Sequence, residues 1–265
     1  MSTPDILVAN GVCKTFFDPD RGEDVEALRD VSVAVHHHEF VSVIGPSGCG
    51  KSTFLRIVAG LDRPTGGEIL LSGRPVAGPG ADRGMVFQEY ALLPWKTTQT
   101  NVEFGLRLKG MAKEERARIA KRYIDLVGLT GFENKYPHHL SGGMRQRAAV
   151  ARALANSPAV LLMDEPFAAV DAMTRQRLQE ELTTISATER MTVLFVTHAI
   201  DEAIFLSDRV VVLSGRPGRV VTNVRIELAR PREWRSLIND ERFIGYRETL
   251  TRLIHGANAP VGSHT

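Results

Sequence analysis

The sequence has little cysteine and no dense run of basic residues. Its only two cysteines are Cys13 and Cys49. They are too few and too far apart to form a metal-binding set, and they predict free thiols in a reducing compartment. The formal net charge is +2, which is too mild to indicate binding to nucleic acid and gives no reason to expect disorder. We therefore expect a folded protein without a nucleic-acid partner.

The sequence also lacks long apolar segments. Residues 1–5 show no basic region followed by an apolar stretch, so no secretion signal is expected. Runs such as residues 159–163 are too short to cross a bilayer. A length of 265 residues suits one large α/β domain with a subdomain. These features predict a soluble cytoplasmic chain whose last residues, 256–265, are frayed.

One stretch has the glycine pattern typical of phosphate binding. It lies between the apolar run 41–44 and a helix-like segment, and it comprises Gly45, Pro46, Ser47, Gly48, Cys49, Gly50, Lys51, Ser52 and Thr53. This spacing directs several backbone N–H groups at one anion. We expect Lys51 to bind the β- and γ-phosphates and the Ser52 hydroxyl to bind Mg²⁺. The alternative is a glycine-rich turn with a solvated lysine.

Short apolar segments separated by polar turns precede this loop and predict a small antiparallel sheet within residues 5–44. Phe16 and Phe17 are expected in the loop between two of these strands. There an aromatic ring can stack on a nucleotide base, or it can pack in the core. The pattern alone leaves both interpretations open.

After the first helix, residues 66–73 indicate a strand and a turn, and residues 84–87 indicate a strand that leads to Gln88. An amide at this point can bind Mg²⁺ and a water molecule, or it can simply face solvent. Residues 89–157 then have helical spacing and no strand-like run. We interpret them as an inserted helical subdomain.

A second glycine-rich helix start follows, because Ser141 precedes Gly142 and Gly143 and can cap the helix. A capped helix start of this kind can bind an anion, or it can serve only the helix.

Two apolar runs end in polar residues, as expected for buried parallel strands whose carboxyl ends carry chemistry. Residues 159–163 lead to Asp164, a candidate Mg²⁺ ligand, and to Glu165, which can polarise an attacking water. Residues 192–196 lead to His198, which can donate to a γ-phosphate. The alternatives are a surface turn for the two acids and a structural role for the histidine.

Taken in this order, these segments resemble the nucleotide-binding subunit of an ATP-binding cassette (ABC) transporter over nearly the whole chain. Six motifs agree with that family: residues 45–53 with Walker A, Gln88 with the Q-loop, residues 140–144 with the LSGGQ signature, residues 160–165 with Walker B, residues 169–171 with the D-loop, and His198 with the switch histidine. The signature is the most specific of them, because other phosphate-loop ATPases lack it.

The resemblance implies an α/β fold, namely a P-loop NTPase (RecA-like) core with an antiparallel β subdomain and an inserted α-helical subdomain. The first part of the ATP-binding core, with the β subdomain, is expected in residues 1–88. The helical subdomain with the signature is expected in residues 89–157, the second part of the core in 158–228, and a C-terminal helical tail in 229–265.

The resemblance to this family also implies a head-to-tail homodimer, with two molecules of ATP and their Mg²⁺ ions at the interface. One subunit would contribute Lys51, Ser52, Gln88 and Asp164, and the other Ser141, Gly142 and Gly143. Asp171 would lie in the D-loop beside the nucleotide, and Phe16 would supply the stacking face. Glu165 would be the general base, and His198 would contact the γ-phosphate.

Within the family, residues 92–95, 213–219 and 230–232 look like the branch that imports nitrate, sulfonates and taurine. This implies a separate membrane permease, a solute-binding protein and a peripheral location at the cytoplasmic face of the membrane. Trp95 would either contact the permease or pack inside the helical subdomain. The competing functions are a soluble, non-transport ABC ATPase, which usually has a coiled-coil insertion or a second cassette, and a regulatory module without turnover, which Glu165 and His198 oppose.

The sequence departs from the family pattern at three points. Phe16 stands where the family often has Tyr or Trp, and it keeps a stacking face. His38 stands where the family usually has glycine, in a turn that begins with three adjacent histidines. Histidine tolerates the left-handed conformation better than most residues, so only mild strain is expected. The three histidines do not predict a metal site, because neighbours on a strand point to opposite faces. Met144 replaces the signature glutamine but leaves Ser141 and Gly143 intact.

Overall fold

The computed structural model describes residues 5–20 and 22–256. The chain forms two compact units, of which the first is Met1–Pro79 with Leu194–Thr265 and the second is Gly80–Val193. The expectation of a frayed end falls, beyond residue 256, outside the described residues. No helix in the described ranges combines the length and the apolarity that a membrane crossing needs.

The first half of the chain carries β1 (Asp5–Asp18), β2 (Glu23–His36), β3 (Phe40–Ile44), α1 (Lys51–Val58), β4 (Gly66–Leu71), β5 (Arg74–Pro75), β6 (Arg83–Val86), α2 (Thr98–Val102), α3 (Phe104–Leu108) and α4 (Lys113–Leu126). A 3₁₀ helix, Pro137–His139, precedes α5 (Gly142–Ala155), β7 (Val160–Asp164), α6 (Ala172–Thr188), β8 (Val193–Val196), α7 (Ile200–Leu206), β9 (Arg209–Leu213), β10 (Val220–Arg225), α8 (Trp234–Leu237) and α9 (Glu241–Gly256).

The first unit contains the antiparallel sheet that the sequence predicts. Its strand order is β2-β1-β4-β5. The strands β1 and β2 pair along nearly their whole length, from Asp5 opposite His36 to Asp18 opposite Glu23. Leu7 and Val12 of β1 are buried, whereas the ends of the strands nearest the connecting turn are more exposed. The hairpin therefore extends from the core towards solvent.

A second sheet in this unit has the order β10-β9-β3-β8. The strand β3 runs parallel to β9, with Val41 opposite Arg209, and all five of its residues are buried. β10 pairs antiparallel with β9 and alternates between half-buried and exposed positions, as its sequence predicts for an edge strand. The burial of β3, whose residues are apolar except for Ser42, is explained by its central place in the sheet.

The C-terminal segment of the first unit packs against α7. The ring of Trp234 stacks on Phe205 with centroids 4.2 Å apart. The buried Arg232 guanidinium donates to the carbonyl oxygens of Ile204 and Ser207, which terminate α7. Burial, with the nearby charge of Arg230, lowers the pKa of Arg232 to about 10. This segment contains the helices α8 and α9, and it is anchored by a buried cation that satisfies the C-terminus of α7.

The second unit combines a parallel strand pair with helices. β6 pairs with β7, with Val86 opposite Met163. Residues 89–157, all of which the structure describes, contain helices and no strand, as predicted. The exact domain boundaries at residues 88, 157 and 228 stay predictions.

The turn between β2 and β3 adopts the conformation expected from its sequence. His38 has φ of 63°, in the left-handed region. The neighbouring Glu39 accepts from the backbone N–H of His36 and forms a two-pronged ion pair with Arg209. The ion pair and hydrogen bonds fix the turn and hold His38 in a conformation that costs a side-chain-bearing residue about 1 kcal/mol.

Replacing His38 with glycine is expected to raise the free energy of unfolding by about 0.5 kcal/mol, because relief of strain exceeds the entropy that glycine adds to the unfolded chain. Urea unfolding of the two proteins measures the difference. His37→Gly is the matched control, since His37 is not among the residues with positive φ, and it is expected to lose stability. Equal losses in both variants would show that the turn is unstrained.

Candidate functional site

The glycine-rich loop connects β3 to α1 in the first unit. Lys51, the first residue of α1, is only 6% exposed. Its Nζ donates to the carbonyl oxygens of Gly45 at 2.9 Å and Pro46 at 3.0 Å. Phosphate oxygens are stronger acceptors of a charge-assisted hydrogen bond than neutral carbonyls. The ammonium group is therefore held within the loop by bonds that an anion can replace.

The end of this loop is enclosed by strand β2. Gly50 caps α1 with φ of 99°, and a Cβ built there would lie 2.6 Å from Leu28 Cδ2 and 2.9 Å from the carbonyl oxygen of Ala27. Only glycine can hold this conformation at this distance from a neighbouring backbone. The β-hairpin thus sets the position of the loop.

Gly50→Ala is expected to destabilise the protein by about 3 kcal/mol, because the left-handed conformation and the overlap with β2 both oppose a methyl group. Gly48→Ala is the matched control: Gly48 also has positive φ, but a Cβ there meets nothing within 4 Å. Its cost is expected to be about 1 kcal/mol. Denaturant unfolding compares the two, and equal losses would contradict the role of β2.

Cys49 lies inside the loop and is buried. Burial raises the pKa of its thiol, and both Cys49 and Cys13 are free, as predicted. A Cβ built on Gly218 would lie 2.1 Å from the carbonyl oxygen of Cys49. Gly218 also exchanges backbone hydrogen bonds with Ala27 and Arg29 of β2. The connection between β9 and β10 therefore supports the loop, a contact that the sequence pattern did not reveal.

The prediction that Phe16 and Phe17 lie in a loop is wrong. Both belong to β1, where they pair with Val25 and Asp24 of β2. The paired strands extend further than the apolar pattern indicates, because backbone pairing continues where the side chains face solvent. Phe16 is 39% exposed and Phe17 is 66% exposed, so neither is packed in the core. An exposed ring face remains available on the hairpin.

His198 follows β8 in the same unit. The preceding residue, Thr197, donates its backbone N–H to Val43 of β3, two residues before the glycine-rich loop begins. The Thr197 hydroxyl donates to the buried Glu202 and accepts from the backbone N–H of Ala199. These bonds fix the turn on which the exposed His198 lies. The loop thus follows the carboxyl end of β3, and His198 follows the carboxyl end of β8.

In the second unit, Gln88, Asp164 and Glu165 lie at one edge of the parallel pair. Gln88 comes two residues after Val86, and Asp164 comes directly after Met163, the residue paired with Val86. Gln88 is exposed and both acids are half-buried. Glu165 has φ of 43°, a strained conformation of the kind that clusters at functional sites. The register brings the three side chains to the same edge, as their sequence positions predict.

The signature segment lies against the start of α6. Ser141 Oγ accepts from the backbone N–H of Met144 at 3.3 Å and caps α5. A Cβ built on Gly143 would lie 2.8 Å from Thr174 Cγ2. Asp171 caps α6, and the hydrogen bond from the Thr174 backbone N–H lowers the pKa of its carboxyl group. The predicted signature and D-loop residues are therefore neighbours, and Gly143 permits that approach.

The segment after Gln88 is bound to α5 through residues that sequence reasoning missed. The Arg145 guanidinium lies 5.4 Å from the ring centroid of Tyr90, and Arg152 donates to the carbonyl oxygen of Ala91 at 2.6 Å. Trp95 further along is 71% exposed. Internal packing of the Trp95 side chain, one of its two interpretations, is therefore wrong.

Comparison with known proteins agrees with these motifs. The family model described as "ABC transporter" matches residues 28–168, which is more than half of the chain. The chain belongs to the ABC transporter family and is an ATPase of that family. The α/β P-loop NTPase fold class is thereby confirmed.

Three relatives cover most of this chain. An uncharacterized ABC transporter ATP-binding protein of Methanocaldococcus jannaschii is 56% identical over 88% of this chain and 86% of its own length. A nitrate import ATP-binding protein of Synechocystis sp. is 46% identical over 88% of this chain and 89% of its own. A taurine import ATP-binding protein of Yersinia pestis is 47% identical over 84% of this chain and 89% of its own length.

A solved relative gives the same fold. The dimeric, post-hydrolysis state of an ATP-binding cassette bound to ADP and Pi has a TM-score of 0.73 and 34% sequence identity, and it covers 84% of this chain and 100% of that one.

Proposed function

We propose that this ATPase energises the uptake of a small anion, such as nitrate, a sulfonate or taurine, through a separate membrane permease. The observation that carries the proposal is the identity of 46% and 47% to nitrate and taurine import ATP-binding proteins over most of the chain. Both named solutes carry an anionic oxygen group. The solute itself is selected outside this chain, by the permease and a solute-binding protein.

The proposed reaction is hydrolysis of ATP. The N–H groups of the glycine-rich loop and the Lys51 ammonium bind the β- and γ-phosphates. Glu165 accepts a proton from the attacking water, and His198 donates to a γ-phosphate oxygen. Phe16 offers its exposed face to the base. Gln88 binds the same water or an adjacent ligand.

The donor set fits Mg²⁺. The Ser52 hydroxyl, the Gln88 amide oxygen and the Asp164 carboxylate are oxygen ligands, which this cation prefers. When bound, Mg²⁺ would neutralise charge on the phosphates. The Lys51 ammonium, on a residue that is itself buried, would supply a further positive charge to the phosphates.

We further propose that two copies of the chain assemble head to tail around two molecules of ATP. The solved dimer of a relative with ADP and Pi supports this arrangement. In it, the exposed Ser141, with Gly142 and Gly143, would present the start of α5 to the nucleotide held by the other copy. Asp171, at the start of α6, would lie in the same interface. Closure on ATP and opening after hydrolysis would then drive the permease.

The proposed partners place the chain at the cytoplasmic face of the membrane. Trp95, with most of its surface exposed on the segment bound to α5, is a candidate contact for the permease. A large exposed aromatic side chain is common at protein interfaces, because it buries much area with little loss of entropy.

The test is affinity purification of the Glu165→Gln variant from source membranes in mild detergent, followed by mass spectrometry of the bound proteins. A polytopic permease together with a solute-binding protein is the expected result. The Lys51→Ala variant is the control, because it separates ATP-dependent partners from constitutive ones. Recovery of ribosomal or DNA-repair proteins without a permease would instead identify a soluble, non-transport ATPase.

A further inference from the structure

We propose that Lys14 is a positioning residue for ATP: its ammonium group fixes the ring of Phe16 and connects it to the helix that carries the phosphate-binding lysine. The inference rests on the proposed base-stacking role of Phe16. It is carried by the contacts of one buried cation in the first unit.

The Lys14 ammonium is bound on three sides. Its Nζ lies 2.7 Å from Asp62 Oδ1 and 2.8 Å from the carbonyl oxygen of Arg63. It also lies 4.7 Å from the ring centroid of Phe16. An ammonium group has three N–H donors, so two oxygens and one aromatic face satisfy it. The Lys14 side chain is only 12% exposed, which limits competition from water.

The contact with Lys14 covers one face of the Phe16 ring and leaves the other face open. Lys14 and Phe16 are two residues apart on β1, across an irregularity in the strand register between Lys14 and Thr15, and the distance from the ammonium group to the ring shows that the two side chains lie side by side. The cation covers one face of the Phe16 ring, and the residue is still 39% exposed. A base can therefore stack on the opposite face of a ring that is already held in place. A fixed ring loses less entropy on binding than a mobile one.

The same cation relates the ring to the phosphate-binding loop. Asp62 and Arg63 follow α1, the helix that begins with Lys51. Lys14 itself pairs with Leu28 of β2, whose side chain lies against Gly50 at the end of the loop. Two routes, one through Asp62 and one through Leu28, thus connect the aromatic strand with the phosphate site. The distance between a stacked base and bound phosphates is fixed by this arrangement.

The Lys14→Met variant tests the inference, because methionine keeps an unbranched apolar stem and removes the cation. We expect the Kd for ATP to rise about fivefold to tenfold, with the loss appearing in KM for ATP rather than in kcat. Binding of inorganic tripolyphosphate, which has no base, should stay within twofold of the wild type. Lys14→Arg, which can bind Asp62 and stack on the ring, should restore most of the affinity for ATP.

Two controls separate positioning from stability. Lys121→Met removes an exposed ion pair with Asp125 on α4, where neither residue has a proposed role in nucleotide binding, and it should not change the Kd for ATP. In a Phe16→Leu background, Lys14→Met should have little further effect, since residues that act through one contact are not additive. Urea unfolding of each variant shows that it is folded under the assay conditions.

The outcomes distinguish the inference from the function on which it rests. If Phe16→Leu leaves the Kd for ATP unchanged, the proposed stacking role of Phe16 fails. If Phe16→Leu weakens ATP binding but Lys14→Met does not, only the inference about Lys14 is wrong. It is also overturned if Lys14→Met weakens tripolyphosphate as much as ATP, or if its effect is undiminished in the Phe16→Leu background.

Discussion

Replacement of Glu165 by glutamine is expected to reduce ATP turnover about 10²- to 10⁴-fold while ATP binding persists. The amide keeps the size and shape of the side chain, but it cannot accept a proton from water. Glu165 lies directly after β7, and it is held in a left-handed conformation with its side chain half-buried. The substitution therefore removes the base and leaves the backbone that presents it unchanged.

Steady-state phosphate release measures this loss, and gel filtration with and without ATP measures assembly. We expect the Glu165→Gln variant to elute as a dimer in ATP, because the nucleotide that bridges two copies is no longer cleaved. Glu180→Gln is the matched control, a half-buried carboxylate on α6 with no proposed role. Turnover of Glu165→Gln near that of Glu180→Gln would remove Glu165 from the reaction.

The phosphate-binding loop and the two acids at the end of β7 could be located from sequence because each follows a largely apolar run. A buried strand needs a largely apolar segment, and both β3, with Ser42 as its one polar residue, and residues 160–163 of β7 have one. The polar residues that follow the carboxyl end of each strand are then candidates for chemistry without knowledge of the rest of the fold. His38 was also predictable, because the left-handed preference is a property of a residue and its turn.

The parts of the site that sequence reasoning missed depend on contacts between distant segments. Phe16 was assigned to a loop because strand length is set by the partner strand as well as by local pattern. The approach of Gly218 to Cys49 joins residues far apart in the chain. The same is true of Lys14 and Asp62. A lysine on a hairpin strand carries no signal in sequence that distinguishes a solvated side chain from one bound on three sides.

The proposed head-to-tail arrangement makes a prediction that only mixed subunits can test. Lys51→Ala removes the phosphate-binding cation, and Ser141→Arg places a bulky side chain at the start of α5. Each variant alone is expected to lose turnover about 10²- to 10³-fold, because both sites of each homodimer are damaged. A mixed dimer has one site with both changes and one site with neither. An equal mixture should therefore regain about a quarter of wild-type turnover, the share of intact sites after random assembly with twofold symmetry.

The recovery distinguishes a composite site from a self-contained one. If each subunit completed its own site, mixing would restore nothing, because every copy carries one damaged element.

Two affinity tags purified in sequence show that mixed dimers are present, and a mixture of Lys51→Ala with Glu165→Gln is the matched negative control. Both of those changes fall on residues proposed to act from the same subunit, so each site of that mixed dimer carries one of them, no site is intact and no recovery is expected. Separate titration of ATP binding then shows one nucleotide site lost with Lys51→Ala, whereas Ser141→Arg leaves binding by the single subunit intact. Absence of recovery in tagged, ATP-competent mixed dimers would contradict the head-to-tail arrangement.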